Sequence, residues 1–214
     1  MIRQLRSFGL ENINLIDNAS DSADMIEYLD HVEEAEVIRL ADNLGPNHIL
    51  NDRSVFSLLP RLFCLTDPDL LLNATLPTNF LGELAYLTDL HHVGKAGFAL
   101  DISDRHLMRD DLIYSGGKMV RIWEHEDQFW HNPLPPLPGG DPVYDAILDT
   151  TFALYNKDHF QHANIWRAVR VGGRFTARHL PWYREAGIPI EEARAYAKSQ
   201  RYSTYLRDAT SLGD

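Results

Sequence analysis

Short apolar runs separated by amphipathic stretches organise the first hundred residues. Ile13-Asn14-Leu15-Ile16 predicts a strand, followed by a helix over Ser22 to His31. Val37-Ile38-Arg39-Leu40 predicts a second strand and Leu62-Phe63-Cys64-Leu65 a third. The third is apolar throughout, as expected when both faces of a parallel strand are covered. Pro77 to His91 predicts a helix, because Phe80, Leu84 and Leu87 recur at i, i+4, i+7 and Leu81 widens the stripe. Gly97-Phe98-Ala99-Leu100 predicts a fourth strand. Strand alternating with helix requires crossover connections, so the expected fold class is α/β with a mostly parallel sheet flanked by helices.

The second half of the chain is less regular. Ile147 to Tyr155 predicts a strand, Arg167 to Val171 another, and Ile190 to Leu206 a C-terminal helix. Between the halves lies Asn132-Pro133-Leu134-Pro135-Pro136-Leu137-Pro138-Gly139-Gly140. Its prolines lack backbone donors and its glycines relax the chain, which predicts an irregular loop beside a site. A single domain is expected over residues 1–214, with 190–214 as a helical extension.

Composition narrows the class. The 214 residues are 44% hydrophobic and 24% charged, ordinary for a globular protein. The single cysteine, Cys64, excludes an internal disulfide framework and multi-cysteine zinc sites, and fits a cytoplasmic location. The formal charge of −11 argues against a nucleic-acid partner, whose phosphates need Lys and Arg. No apolar run approaches the roughly 18 residues of a membrane span, which leaves only peripheral membrane contact open. Met1 to Arg6 is basic without an apolar stretch after it, so no signal peptide is expected.

Polar clusters then fall where the expected strands end. Asp17-Asn18 follows the first, Asp42-Asn43-Leu44-Gly45 the second and Asp67-Pro68-Asp69 the third. In open α/β sheets ligands bind beyond the carboxyl ends of the strands. In extended chain, Asp67 and Asp69 point to one side, about 6.6 Å apart at roughly 3.3 Å per residue. Two such carboxylates suit a hard divalent cation bridging to substrate phosphates. A turn or helix-capping pair is the ordinary alternative for these residue types. The ten histidines include no His-Glu-x-x-His spacing, and Gly116-Gly117 and Gly172-Gly173 are expected to be turns.

A strand followed by Asp-x-Asp, with an upstream Asp-Asn strand end, resembles the GT-A class of glycosyltransferases, particularly its bacterial family 2-like members. The resemblance runs from about Asn12 to Tyr183. It also takes in the blocks Asp149-Thr150-Thr151-Phe152-Ala153-Leu154-Tyr155 and Ala177-Arg178-His179-Leu180-Pro181-Trp182-Tyr183. It implies a Rossmann-like sheet and a Mn²⁺ or Mg²⁺ cofactor held by Asp67 and Asp69, with His179 at the position of a C-terminal metal-ligand histidine. It further implies nucleotide contacts at Asp17, Asn18, Asn43 and Asp67. The family's opening strand has no counterpart before the helix expected at Met1 to Phe8, so the chain reads as lacking it.

The catalytic base is open between two segments. Trp123-Glu124-His125-Glu126-Asp127-Gln128-Phe129-Trp130 offers Glu124 and Asp127, with three aromatic rings to stack on a sugar. An amphipathic helix with a solvated acidic face explains the same residues. Asp127 is preferred for its Glu-Asp context, and Asp149, before an apolar run, is the rival. The expected activity is transfer of a sugar from a nucleoside-diphosphate sugar donor to a carbohydrate or other hydroxyl acceptor, with inversion. A metal-dependent nucleotidyltransferase and a catalytically decayed nucleotide-sugar-binding module are the alternatives.

Overall fold

The computed structural model describes residues 1–110, 112–149 and 151–186, so the helix expected over 190–206 lies outside the described residues. The chain divides into two compact units, Met1–Leu58 and Leu59–Asp214. In the first, helix α1 (Ile2–Ser7) precedes strand β1 (Asn14–Asp17), helix α2 (Ala23–His31) and strand β2 (Glu36–Arg39). Two short helices follow, α3 (His48–Asn51) and α4 (Arg53–Leu58). β1 and β2 pair in parallel, from Asn14 opposite Glu36 to Asp17 opposite Arg39. α2 is the crossover that a parallel pair needs. Both strands sit within one residue of their expected positions.

The second unit carries strands β3 (Leu62–Leu65) and β4 (Leu70–Leu72), helix α5 (Phe80–His91) and strand β5 (Lys95–Leu100). A hairpin of β6 (Leu112–Ser115) and β7 (Lys118–Arg121) leads into helix α6 (Ile122–Asp127). The chain closes through β8 (Pro133–Leu134), β9 (Val143–Asp145), β10 (Ala153–Asn156) and the long β11 (Val169–His179). All described strands of this unit except the β6–β7 hairpin form one sheet in the order β3-β10-β5-β11-β9-β8, with β4 also pairing with β11.

The sheet is mixed, which corrects the mostly parallel one expected. β5 and β11 pair in parallel, whereas β3–β10, β10–β5, β11–β4, β11–β9 and β8–β9 are antiparallel. β10 is the cause. It returns through irregular chain and inserts against the direction of β3 and β5, between them, and periodicity carries no signal for that insertion. β3 is consequently an edge strand, and its residues are only half-buried or exposed, not covered on both faces. The strand expected over Ile147 to Tyr155 shortens to β10, leaving 147–149 as irregular chain, while the one expected over Arg167 to Val171 extends to His179.

The core follows from the helical stripe. Phe80, Leu84 and Leu87 of α5 are each 1% exposed or less. Phe80 meets Phe98 and Phe152 at ring-centroid distances of 5.8 and 5.6 Å; Phe98 stacks on Phe152 at 4.9 Å and meets Phe175 at 5.9 Å. Burying such a side chain stabilises by about 1.5–3 kcal/mol. Gly97 lets β5 and β10 close, since a Cβ there would lie 2.4 Å from the Phe152 carbonyl oxygen. No helix among the described residues is long and apolar enough to cross a membrane.

Candidate metal centre

Asp67 and Asp69 lie in the turn between β3 and β4, and His179 is the last residue of β11. Register brings them together. β4 runs antiparallel to the end of β11, with Leu70 opposite His179 and Leu72 opposite Ala177, and the Leu180 N–H donates to the Asp69 carbonyl at 2.9 Å. β11 changes partner along its length, from β9 at 169–171 to β4 at 177–179, and its register against β5 shifts between Val171 and Thr176. Gly172 and Gly173, expected as a turn, lie in this irregularity. Gly173 has φ +62, and a Cβ on it would stand 2.6 Å from an Asp141 carboxylate oxygen. That carboxylate accepts the Arg174 N–H at 2.8 Å and the guanidinium at 2.6 and 3.0 Å, which fixes the displacement.

One ligand atom each from Asp67, Asp69 and His179 lies within 4.8 Å of the others. His179 Nε2 stands 3.5 Å from Asp69 Oδ1, and the imidazole packs edge-on against Trp182 at 4.9 Å. Asp69 Oδ1 and His179 Nδ1 are buried without a hydrogen bond. Burial pushes the Asp67 carboxyl up to about 7, and the neighbouring Asp69 and Asp149 carboxylates add to the rise. Burial also lowers the His179 imidazole against the opposing pull of those two carboxylates, favouring the neutral form that ligates metals. Carboxylates crowded together beside a neutral imidazole, with unsatisfied lone pairs, fit a divalent cation.

Asp149 borders this set. Its side chain is 43% exposed, and its charge acts on Asp67, His179, Lys95, His125 and Glu126. Arg170 NH2 lies 3.8 Å from Asp149 Oδ1. Arg170 is itself 1% exposed: NH1 pairs with Glu126, Nε donates to the Ile147 carbonyl at 2.7 Å, and the guanidinium lies 4.2 Å from the Phe129 ring centre. Glu126, 2% exposed, also accepts the Leu100 N–H, and burial raises its carboxyl to about 7 against the pull of Arg170. Lys95 is 1% exposed and donates to the Leu148 carbonyl; burial lowers its ammonium to about 8, so the charge persists at neutral pH. Lys95 and Arg170 carry no motif in the sequence, and Glu126 falls within the 123–130 segment, where Glu124 and Asp127 were the expected candidates. For Lys95 and Arg170 the signal was a basic residue heading or interrupting an apolar strand; Glu126 lies in the acidic run of α6 between Glu124 and Asp127.

Asp127 is 46% exposed and pairs with His131 at 3.0 Å. Glu124 caps α6, its carboxylate accepting the Arg121 N–H at 2.7 Å. Of the nearby aromatics, Trp123 lies under Arg105 at 4.9 Å, Phe129 under Arg170, and Trp130 against Tyr144 at 5.4 Å. Within the first unit, Asp17 accepts the Ser20 N–H at 3.0 Å, Asn18 accepts the Leu44 N–H at 3.3 Å, and Asn43 accepts the Gly45 N–H at 3.0 Å. The strand-end clusters at Asp17-Asn18 and Asp42-Gly45 therefore do meet.

No protein-family model, curated protein or solved structure matches this chain. The functional reading rests on the chemistry of the site.

Proposed function

We propose that the chain is a metal-dependent glycosyltransferase, moving a sugar from a nucleoside-diphosphate sugar to a hydroxyl acceptor with inversion. One observation carries this reading: Asp67, Asp69 and His179 converge within 4.8 Å, with Asp149 beside them. Asp67, Asp69 and His179 would hold the cation. Two carboxylates and an imidazole favour Mn²⁺, with Mg²⁺ the harder, more oxygen-demanding alternative. When bound, the cation offsets the negative charge that develops on a departing diphosphate.

The chain's own residues then account for the proton. The acceptor oxygen attacks the anomeric carbon as the bond from that carbon to the diphosphate oxygen breaks, and the diphosphate leaves with the electron pair. Asp149 takes the proton from the acceptor hydroxyl. It is preferred here to Asp127, because Asp149 is electrostatically coupled to the ligand set and open to solvent on one side. Asp127 is instead paired with His131.

The test is product identity. Incubating the protein with nucleoside-diphosphate sugars and Mn²⁺ should release nucleoside diphosphate, and chelation should stop the release. Pyrophosphate as the product would instead support nucleotidyl transfer. Binding of nucleoside diphosphate without any turnover would mark a decayed binding module. Asp149→Asn is expected to lower kcat by about 100-fold or more with little change in KM, the pattern for a group acting only in the transition state.

A further inference from the structure

Two fully buried cations close on three consecutive residues. Arg170 Nε donates to the Ile147 carbonyl at 2.7 Å, Lys95 Nζ donates to the Leu148 carbonyl, and Arg170 NH2 lies 3.8 Å from the Asp149 carboxylate. The Leu148 N–H is also held, by the Trp166 carbonyl at 3.2 Å, so this irregular segment is pinned from both sides. Burying an ammonium and a guanidinium is costly unless each is paired and bonded. For core packing alone, Met or Leu would serve at either position.

We propose that Lys95 and Arg170 form a clamp on residues 147–149 that holds the Asp149 carboxylate toward the metal set, making both of them positioning residues. The clamp rests on the reading of Asp149 as the base. Its architecture explains the placement of each charge. Lys95 opens β5, with the rings of Tyr155 and Trp166 5.6 and 5.4 Å from its ammonium. Arg170 lies on the neighbouring β11, where Phe129 covers its guanidinium and Glu126 fixes its other end. Glu126 is tied in turn to the Leu100 N–H at the end of β5. Arg170 is therefore braced on one side by α6 and β5, which leaves NH2, buried and without a hydrogen bond, directed at Asp149.

Two changes test the clamp. Lys95→Met removes one arm with little loss of volume. The paired Glu126→Gln, Arg170→Met variant removes the other without stranding a buried carboxylate. Hydrogen exchange needs no activity: protection of the Leu148 amide should fall about tenfold or more in both variants, while residues 175–179 of β11 keep theirs. In steady-state sugar transfer, kcat should fall by about 10- to 100-fold, with donor KM and Mn²⁺ affinity within about threefold of wild type. Neither change should add to the loss in Asp149→Asn, because both act through that carboxylate. Undiminished protection at Leu148, or losses that multiply with Asp149→Asn, would overturn the clamp. A wild-type protein that transfers no sugar from any donor would defeat the glycosyltransferase reading, yet the exchange measurement would still decide the clamp.

Discussion

Asp67 is the group expected to set the pH behaviour of the site. Its carboxyl stands at about 7 in the folded chain against an ordinary value of 3.8. A raised acid contributes stability while protonated, so that contribution is present below about pH 4 and is lost as pH rises through 7. Metal-free Asp67→Asn should therefore melt higher than wild type at pH 8 and alike at pH 4, a comparison that thermal unfolding can make. A proton on Asp67 also competes with a cation, so Mn²⁺ affinity should weaken by about tenfold per pH unit below 7. Equal affinity at pH 6 and pH 8 would contradict this. Asp67 and Asp69 stood out in the sequence because two carboxylates flank a proline after an apolar run. Lys95 and Arg170 did not, since a lone cation in a strand reads as a solvated position until the covering elements are known.

The elements explain why His179 reaches the aspartates at all. β11 shifts register between Val171 and Thr176, a stretch that holds Gly172-Gly173, before residues 177–179 lie alongside β4. Gly173→Ala would put a side chain at φ +62 and against the Asp141 carboxylate. The conformational cost alone is about 1–2 kcal/mol. It should also weaken Mn²⁺ binding several-fold, although position 173 is six residues from His179; unchanged affinity would mean that the shift does not place His179. Gly97→Ala should be worse for stability, by about 3 kcal/mol, because a backbone carbonyl rather than a mobile side chain stands in the way. Helix α5 and strands β1, β2, β3 and β5 were legible because their apolar spacing is local. The sheet's mixed character was not, because the insertion of β10 between β3 and β5 depends on partners far away in sequence. The same limitation hid the end of β11, whose polar Arg174, Arg178 and His179 break any apolar run.

At the scale of the whole molecule, the −11 charge and the candidate metal cluster point the same way. A chain short of cations handles a phosphate-bearing ligand most readily through a bound divalent ion. Binding to the folded state alone would stabilise by about 2.7 kcal/mol at 100 times Kd, which raises a melting transition of a domain this size by about 5–10 °C. The α/β class was legible from alternating strands and helices; ligand identity depends on pocket contacts that no pattern encodes. The proposed chemistry requires that Asp67, Asp69 and His179 together hold one divalent cation. Calorimetric titration of Mn²⁺ at pH 7.5 into wild type, Asp69→Asn and His179→Ala measures it most directly. One site is expected in the wild type, weakened by about tenfold or more in each variant. No binding by the folded wild type, or binding that both substitutions leave unchanged, would contradict it.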